Sequence, residues 1–381
     1  MSTEKRLILI FEDDPKIAQG LSAALKTRLG SKLAVKVFDL SSAPAQTSGP
    51  YEDRLVSVLS RPEFKDLVLI VTDRDLSANE VWRGLSEAAV TRAAEKLGLP
   101  VASYRQAKPN AEDRLKRIPG NGQLELPFDT ASRAARIVTL AKGFAEMERL
   151  LGAHALMKPG KGGGKKQGPA TLSQSDAGTP GNLLARILKQ PDIASRFDLF
   201  ACGDQRAIAE ILKASEGNGA AIPPAKARRL VVALGVWLAD LVMEYPGLLL
   251  NKVAAASYLD IHPNDFDKPD VQKVFASALY QKLPFADSER PMWWRHLIDD
   301  LVNDSSMLTG RDLCTAAGIK RIRFCPCSVR PALHAGYYCM ASEKPLSDEE
   351  SSGRVSWFPI GADLARLTDR THRALAPWIG S

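Results

Sequence analysis

The chain has 381 residues, 45% of them hydrophobic and 25% charged, which excludes a fibrous class and global disorder and points to two domains or three. Its 51 basic and 44 acidic side chains leave a net charge of +7 on a mixed surface, which permits contact with nucleic acid or acidic partners without requiring it. Five cysteines, four of them between Cys314 and Cys339, do not form the pattern of a secreted disulfide framework.

The first apolar run, Leu7 to Phe11, is too short for a signal peptide or membrane span. The longest later one, Leu230 to Leu250, is broken by Asp240, Glu244 and Pro246. The expectation is a cytoplasmic protein with no membrane partner.

Taken in chain order, LILIF (Leu7 to Phe11) reads as a strand, Pro15 to about Leu29 as a helix, and LAVKVF (Leu33 to Phe38) and LVLIV (Leu67 to Val71) as strands. A helix around Glu80 to Leu97, a short strand at Pro100 to Tyr104, a strand near Gln123 to Leu126 and a long helix from Thr130 to about Leu151 follow. Strands alternating with helices predict βαβ units, and their unbroken apolar character predicts a parallel sheet covered on both faces. The expected class is therefore α/β, a doubly wound parallel sheet over residues 1–156. Residues 157–182 are rich in Gly, Lys, Pro and Ser without apolar period and read as a flexible linker.

Beyond it, helical periodicity recurs in Leu183 to Ala194, Asp204 to Ala214, Ala225 to Glu244, Leu248 to Leu259, Val271 to Leu283 and Met292 to Val302. Residues 183–381 are expected to form a mainly α-helical second domain with an irregular, cysteine-containing end. There CPC at 325–327, GYYCM at 336–340 and RVSWFP at 354–359 are candidates for a few strands.

Ligands of an open parallel sheet bind beyond the carboxyl ends of its strands, where this sequence places Glu12, Asp13 and Asp14, and then Asp73 and Asp75. Carboxylates converging from two strand ends make an oxygen-only, negative site suited to a hard cation such as Mg2+. Beside such a cation Asp73 is a candidate nucleophile toward a phosphoryl group. Asp13 or Asp14, just before Pro15, is equally suited to cap the following helix.

The segments FEDDP, DLVLIVTDRDLS, GLPVASY and LELPFD together resemble the receiver domain of response regulators in two-component signalling, over roughly residues 5 to 150. The resemblance implies a flavodoxin-like fold, Glu12 and Asp13 as an acidic pair, Asp73 as both metal ligand and phosphoacceptor, and Ser103 as the switch hydroxyl. It also implies Mg2+ as cofactor and a histidine kinase-like partner. The family carries a lysine just before the proline of its fifth strand, whereas this chain has Leu126 before Pro127 and Phe128. Arg105, Lys108 and Lys116 are the candidates to stand in for that lysine. Two other readings accompany this one: a pseudo-receiver scaffold without phosphotransfer, and a DNA-binding regulator whose output is the helical half.

Other motifs carry less. GKGGGKKQ lacks the spacing of a phosphate loop and reads as linker. Cys314, Cys325, Cys327, His334 and Cys339 include enough soft ligands for zinc, with Cys325 and Cys327 the first choice, although buried thiols without a metal are the commoner outcome. LTGRDLCTAAGIK, followed by Lys320, Arg321 and Arg323, has the texture of a helix-turn-helix. Trp293 and Trp294 are either a binding hot spot or core.

Overall fold

The computed structural model describes residues 5–41, 49–77, 81–106, 124–155, 179–200, 208–210 and 224–379. These fall into two compact units, one of residues up to 189 together with those between 208 and 237, the other of residues 190–200 and those from Leu238 onward.

The first unit is a five-stranded parallel sheet of order β2-β1-β3-β4-β5, formed by β1 (Arg6–Phe11), β2 (Leu33–Val37), β3 (Leu67–Asp73), β4 (Val101–Tyr104) and β5 (Leu124–Glu125). β3 is buried along its whole length, as an unbroken apolar run requires of a sheet covered on both faces. Its helices are α1 (Pro15–Lys26), α2 (Tyr51–Leu59), α3 (Glu87–Leu97) and α4 (Thr130–Ala155). Side chains alternate along a strand, so Leu9, Phe11 and Ile70 join the core beneath α2 and α3. Ile8, Ile10, Leu69 and Val71, all fully buried, turn the other way, toward the layer in which α1 packs against α4. The flavodoxin-like α/β expectation for this part of the chain thus holds.

Local chemistry sets the helix ends. The Asp14 side chain accepts from Lys16 N at 2.8 Å and Ile17 N at 3.3 Å, with Pro15 in the first turn. The helix expected from Glu80 begins only at Glu87, because Ser86 caps it through Ala89 N at 3.3 Å. It stops at Gly98, whose φ of +65° is the left-handed conformation that closes helices.

Of the expected linker 157–182, the part up to 178 lies outside the described residues, and Thr179 caps a helix, Pro180–Ile187, that belongs to the first unit. A further helix, Pro224–Val236, packs against α4 and buries Leu230, Val231 and Leu234. The compact division therefore does not follow a break at residue 183. Most of the helix expected at Asp204 to Ala214 also lies outside the described residues; 208–210 are helical.

The second unit mixes short helices with two small sheets. Leu249–Asn251 and Met292–Trp294 are antiparallel strands β6 and β7, where the periodicity predicted the starts of helices. Those helices begin only afterwards, at Lys252 and Arg295. Asn251 sets the first of these ends, its side chain accepting from Ala254 N at 2.9 Å. The other sheet has the order β10-β8-β9, from Ala365–Arg366, Tyr337–Cys339 and Lys344–Leu346. GYYCM thus supplies a strand and RVSWFP does not. Among the described residues no helix is long and apolar enough to cross a membrane.

Candidate functional site

Glu12 is the first residue beyond β1 and Asp73 the last of β3, adjacent strands at the switch point of the sheet. The buried runs before them fix where both chains emerge. One oxygen from each of Glu12, Asp13 and Asp73 lies within 4.8 Å of the others. The FEDD run is thus divided: Asp14 caps α1 while Glu12 and Asp13 meet Asp73.

Glu12 is 4% and Asp73 1% exposed, so both carboxylates need partners inside the fold. Glu12 Oε1 accepts from Asp14 N at 2.9 Å, and the Tyr104 hydroxyl donates to Glu12 Oε2. Asp73 Oδ1 accepts from Asp75 N at 3.3 Å, and Asp73 Oδ2 from the Gln106 side-chain amide at 2.7 Å. Burial raises the pKa of Glu12 above the usual carboxylate range, against the opposing hydrogen bonds from Tyr104 and the Asp14 backbone. Burial first, and then the bond to Glu12, pushes the Tyr104 phenol far above its ordinary value, so it stays a donor.

Each of these four oxygens accepts one hydrogen bond and retains a lone pair, so a hard divalent cation would add to the arrangement rather than dismantle it. The donor set fits Mg2+, and the acidic cluster resembles that of a receiver.

Other residues singled out in the sequence lie elsewhere. The Ser103 hydroxyl accepts from Arg74 Nε at 3.3 Å, and Arg74 also faces Glu125 at 3.4 Å and Glu87 at 3.8 Å. From β4 it is Tyr104, paired in register with Asp73, that reaches the carboxylates. Leu126 is buried at the position where a lysine was expected. Lys108 and Lys116 lie outside the described residues, and Arg105 is exposed.

The buried cation of this neighbourhood is Arg133 of α4, which the sequence reading passed over. Its guanidinium lies 3.9 Å above the Tyr104 ring. A basic residue at the positive end of a helix was the available signal, because the helix dipole disfavours it there.

In the second unit, no three of its His, Cys, Asp and Glu side chains converge at metal-ligand distance among the described residues. His334 turns instead to Asp260, Nδ1 to Oδ1 at 2.9 Å, and stacks on Phe324 at 4.4 Å. Cys314, Cys325, Cys327 and Cys339 are buried, and burial pushes the Cys325 thiol up to about 12. Trp293 packs edge-on to Phe266 at 5.0 Å in the core. Of the basic residues proposed to read DNA, Arg323 is engaged by Asp265 through bonds of 2.9 and 3.0 Å.

That last pair yields a pH prediction. The Arg323 side chain, with Arg323 N and Lys268 assisting, holds the buried Asp265 carboxyl well below its usual range, against the opposing effect of burial. A depressed folded pKa contributes stability that is complete above the unfolded value of about 4 and is lost as pH falls from there toward the folded value. Arg323 is more than half exposed, so Arg323→Ala is expected to lower the urea midpoint only slightly at neutral pH. In urea titrations that difference should shrink as the pH drops below about 4. A difference independent of pH would assign the loss to packing of the arginine stem.

Comparison of the chain with protein-family models, with curated proteins and with solved structures gives no match in any of the three.

Proposed function

We propose that the first unit is a receiver-type signalling domain, in which Glu12, Asp13 and Asp73 hold Mg2+ and Asp73 accepts a phosphoryl group from a histidine kinase-like partner, controlling the second unit. The observation that carries this reading is the convergence of three carboxylates at the switch point of a parallel sheet of order β2-β1-β3-β4-β5. When bound, the cation would offset the negative charge of the cluster and of the transferring group.

The chain's own part is nucleophilic. An Asp73 oxygen attacks phosphorus; the new O–P bond forms as the P–N bond to the donor imidazole breaks, its electron pair returning to nitrogen. Asp75 N and Gln106 orient the Asp73 carboxylate for this attack.

Treatment with a small-molecule phosphodonor and Mg2+ should add the mass of one phosphoryl group to the intact chain. The adduct should disappear with a chelator and in Asp73→Asn. A second reading, a pseudo-receiver that docks partners without phosphotransfer, draws on buried Leu126 and on the Gln106 amide already seated on Asp73 Oδ2. An unchanged mass, under conditions that modify a control receiver, would decide for it.

A further inference from the structure

Arg133 is 4% exposed, and a guanidinium remains protonated at any physiological pH, so its charge has been taken out of water and must be answered within the fold. Its hydrogen bonds go to neutral carbonyls: Nε to Pro127 O at 3.0 Å, and Nη2 to Phe128 O at 2.6 Å and to Arg105 O at 3.5 Å. Carbonyl dipoles solvate the cation without cancelling it.

The negative charge lies one side chain further on. The guanidinium sits on the face of the Tyr104 ring, and the hydroxyl of that ring donates to Glu12 Oε2. Carboxylate, phenol and guanidinium therefore stand in sequence, and a phenol bonded to a carboxylate has a more electron-rich ring for the cation to rest on. Desolvation lowers the pKa of Arg133, while Tyr104, Asp73, Glu12 and, last, Asp129 act in the opposite direction. The fields of the carboxylates, two of them members of the cluster, thus favour the charged guanidinium. Leu126, the residue after β5, is apolar and buried and brings no second cation to the cluster.

We propose that Arg133 is the built-in counter-cation of the acidic cluster, acting through Tyr104, and that it sets how tightly the cluster takes a divalent cation. The second half rests on the cation-binding reading given above. Arg133 is here a positioning residue that touches no ligand. Its charge competes with an incoming cation for the same field, so removing it leaves the three carboxylates more negative. Cation affinity must then rise. A purely structural arginine makes the opposite prediction, since losing its clamp on the loops would loosen Glu12 and weaken binding.

The test uses the full chain and Mn2+ as probe, titrated by calorimetry or by the spin-resonance signal of the free ion. Arg133→Gln should bind Mn2+ about tenfold more tightly than wild type, the scale of one unit charge acting on a divalent ion through a screened interior. Arg133→Lys, which keeps the charge, should stay near wild type. Equal or weaker binding by a folded Arg133→Gln overturns the proposal. A second measurement covers a variant too unstable to titrate: adding Glu12→Gln should raise the denaturation midpoint of Arg133→Gln, because it removes one of the charges left uncompensated. No such rescue overturns the counter-cation role. If neither wild type nor Arg133→Gln takes up Mn2+, the cation-binding reading fails with the second half of the proposal, and the Glu12 rescue still decides the first.

Discussion

Trp82→Ala is expected to remove about 3 to 5 kcal/mol from the stability of the first unit, the range for deleting a fully packed aromatic side chain. The ring is 2% exposed and stands edge-on to Phe38 at 5.7 Å, with Tyr51 tilted against it at 6.4 Å. Phe38 in turn stacks on Phe11 at 4.5 Å. Three elements of the chain thus meet around one indole, and alanine would leave a void they cannot fill without leaving the positions that seat Phe11. Because Glu12 follows Phe11 directly, the loss should reach the acidic cluster as well as the global transition. Guanidinium denaturation of the full chain gives the stability, and the Mn2+ titration described above reports on the cluster. A change below about 1 kcal/mol would mean that the aromatic stack is peripheral to the core.

The second large effect is expected at Gly247. A Cβ there would lie 1.9 Å from the Gly361 carbonyl oxygen and 2.9 Å from the Phe200 ring. The neighbour is backbone rather than a movable side chain, and it is held in turn by Gly361 N donating to Leu199 O at 2.8 Å. Gly247→Ala should therefore destabilise the second unit by about 3 kcal/mol or more, above the usual range for overpacking. Gly336→Ala is the matched control, since a Cβ there meets nothing within 4 Å. It should stay within about 0.5 kcal/mol of wild type. Similar losses at the two positions would rule out close backbone approach as the cause.

The sheet and the convergence of Glu12, Asp13 and Asp73 were legible in the sequence because both depend on unbroken apolar runs with carboxylates at their ends. The helix cap at Asp14 was legible for the same local reason, an acidic residue before proline. Tyr104 and Arg133 were not. On a strand, a shift of one residue changes the face, so the resemblance that pointed to Ser103 missed Tyr104, whose pairing with Asp73 turns it toward the carboxylates. Arg133 reaches the same place from α4, and its unfavourable position at the positive end of that helix says that it is held there without saying by what. In the second unit, Leu249–Asn251 and Met292–Trp294 are too short for periodicity to separate strand from helix. Their pairing with each other, remote in sequence, decides the matter.

The turn between β5 and α4 looks like an ordinary surface connection, the kind of place where chains usually tolerate insertions and deletions. Here the segment carries two registers at once. Asp129 must stand three residues before Ser132 to accept from its N–H at 2.8 Å, and the carbonyls of Pro127 and Phe128 must lie within reach of a guanidinium on the first turns of the helix. One added residue could leave the helix capped while carrying Arg133 away from those carbonyls and from the ring of Tyr104. Length in this short loop is therefore constrained as tightly as composition is in the core, and variation is better accommodated elsewhere on the surface.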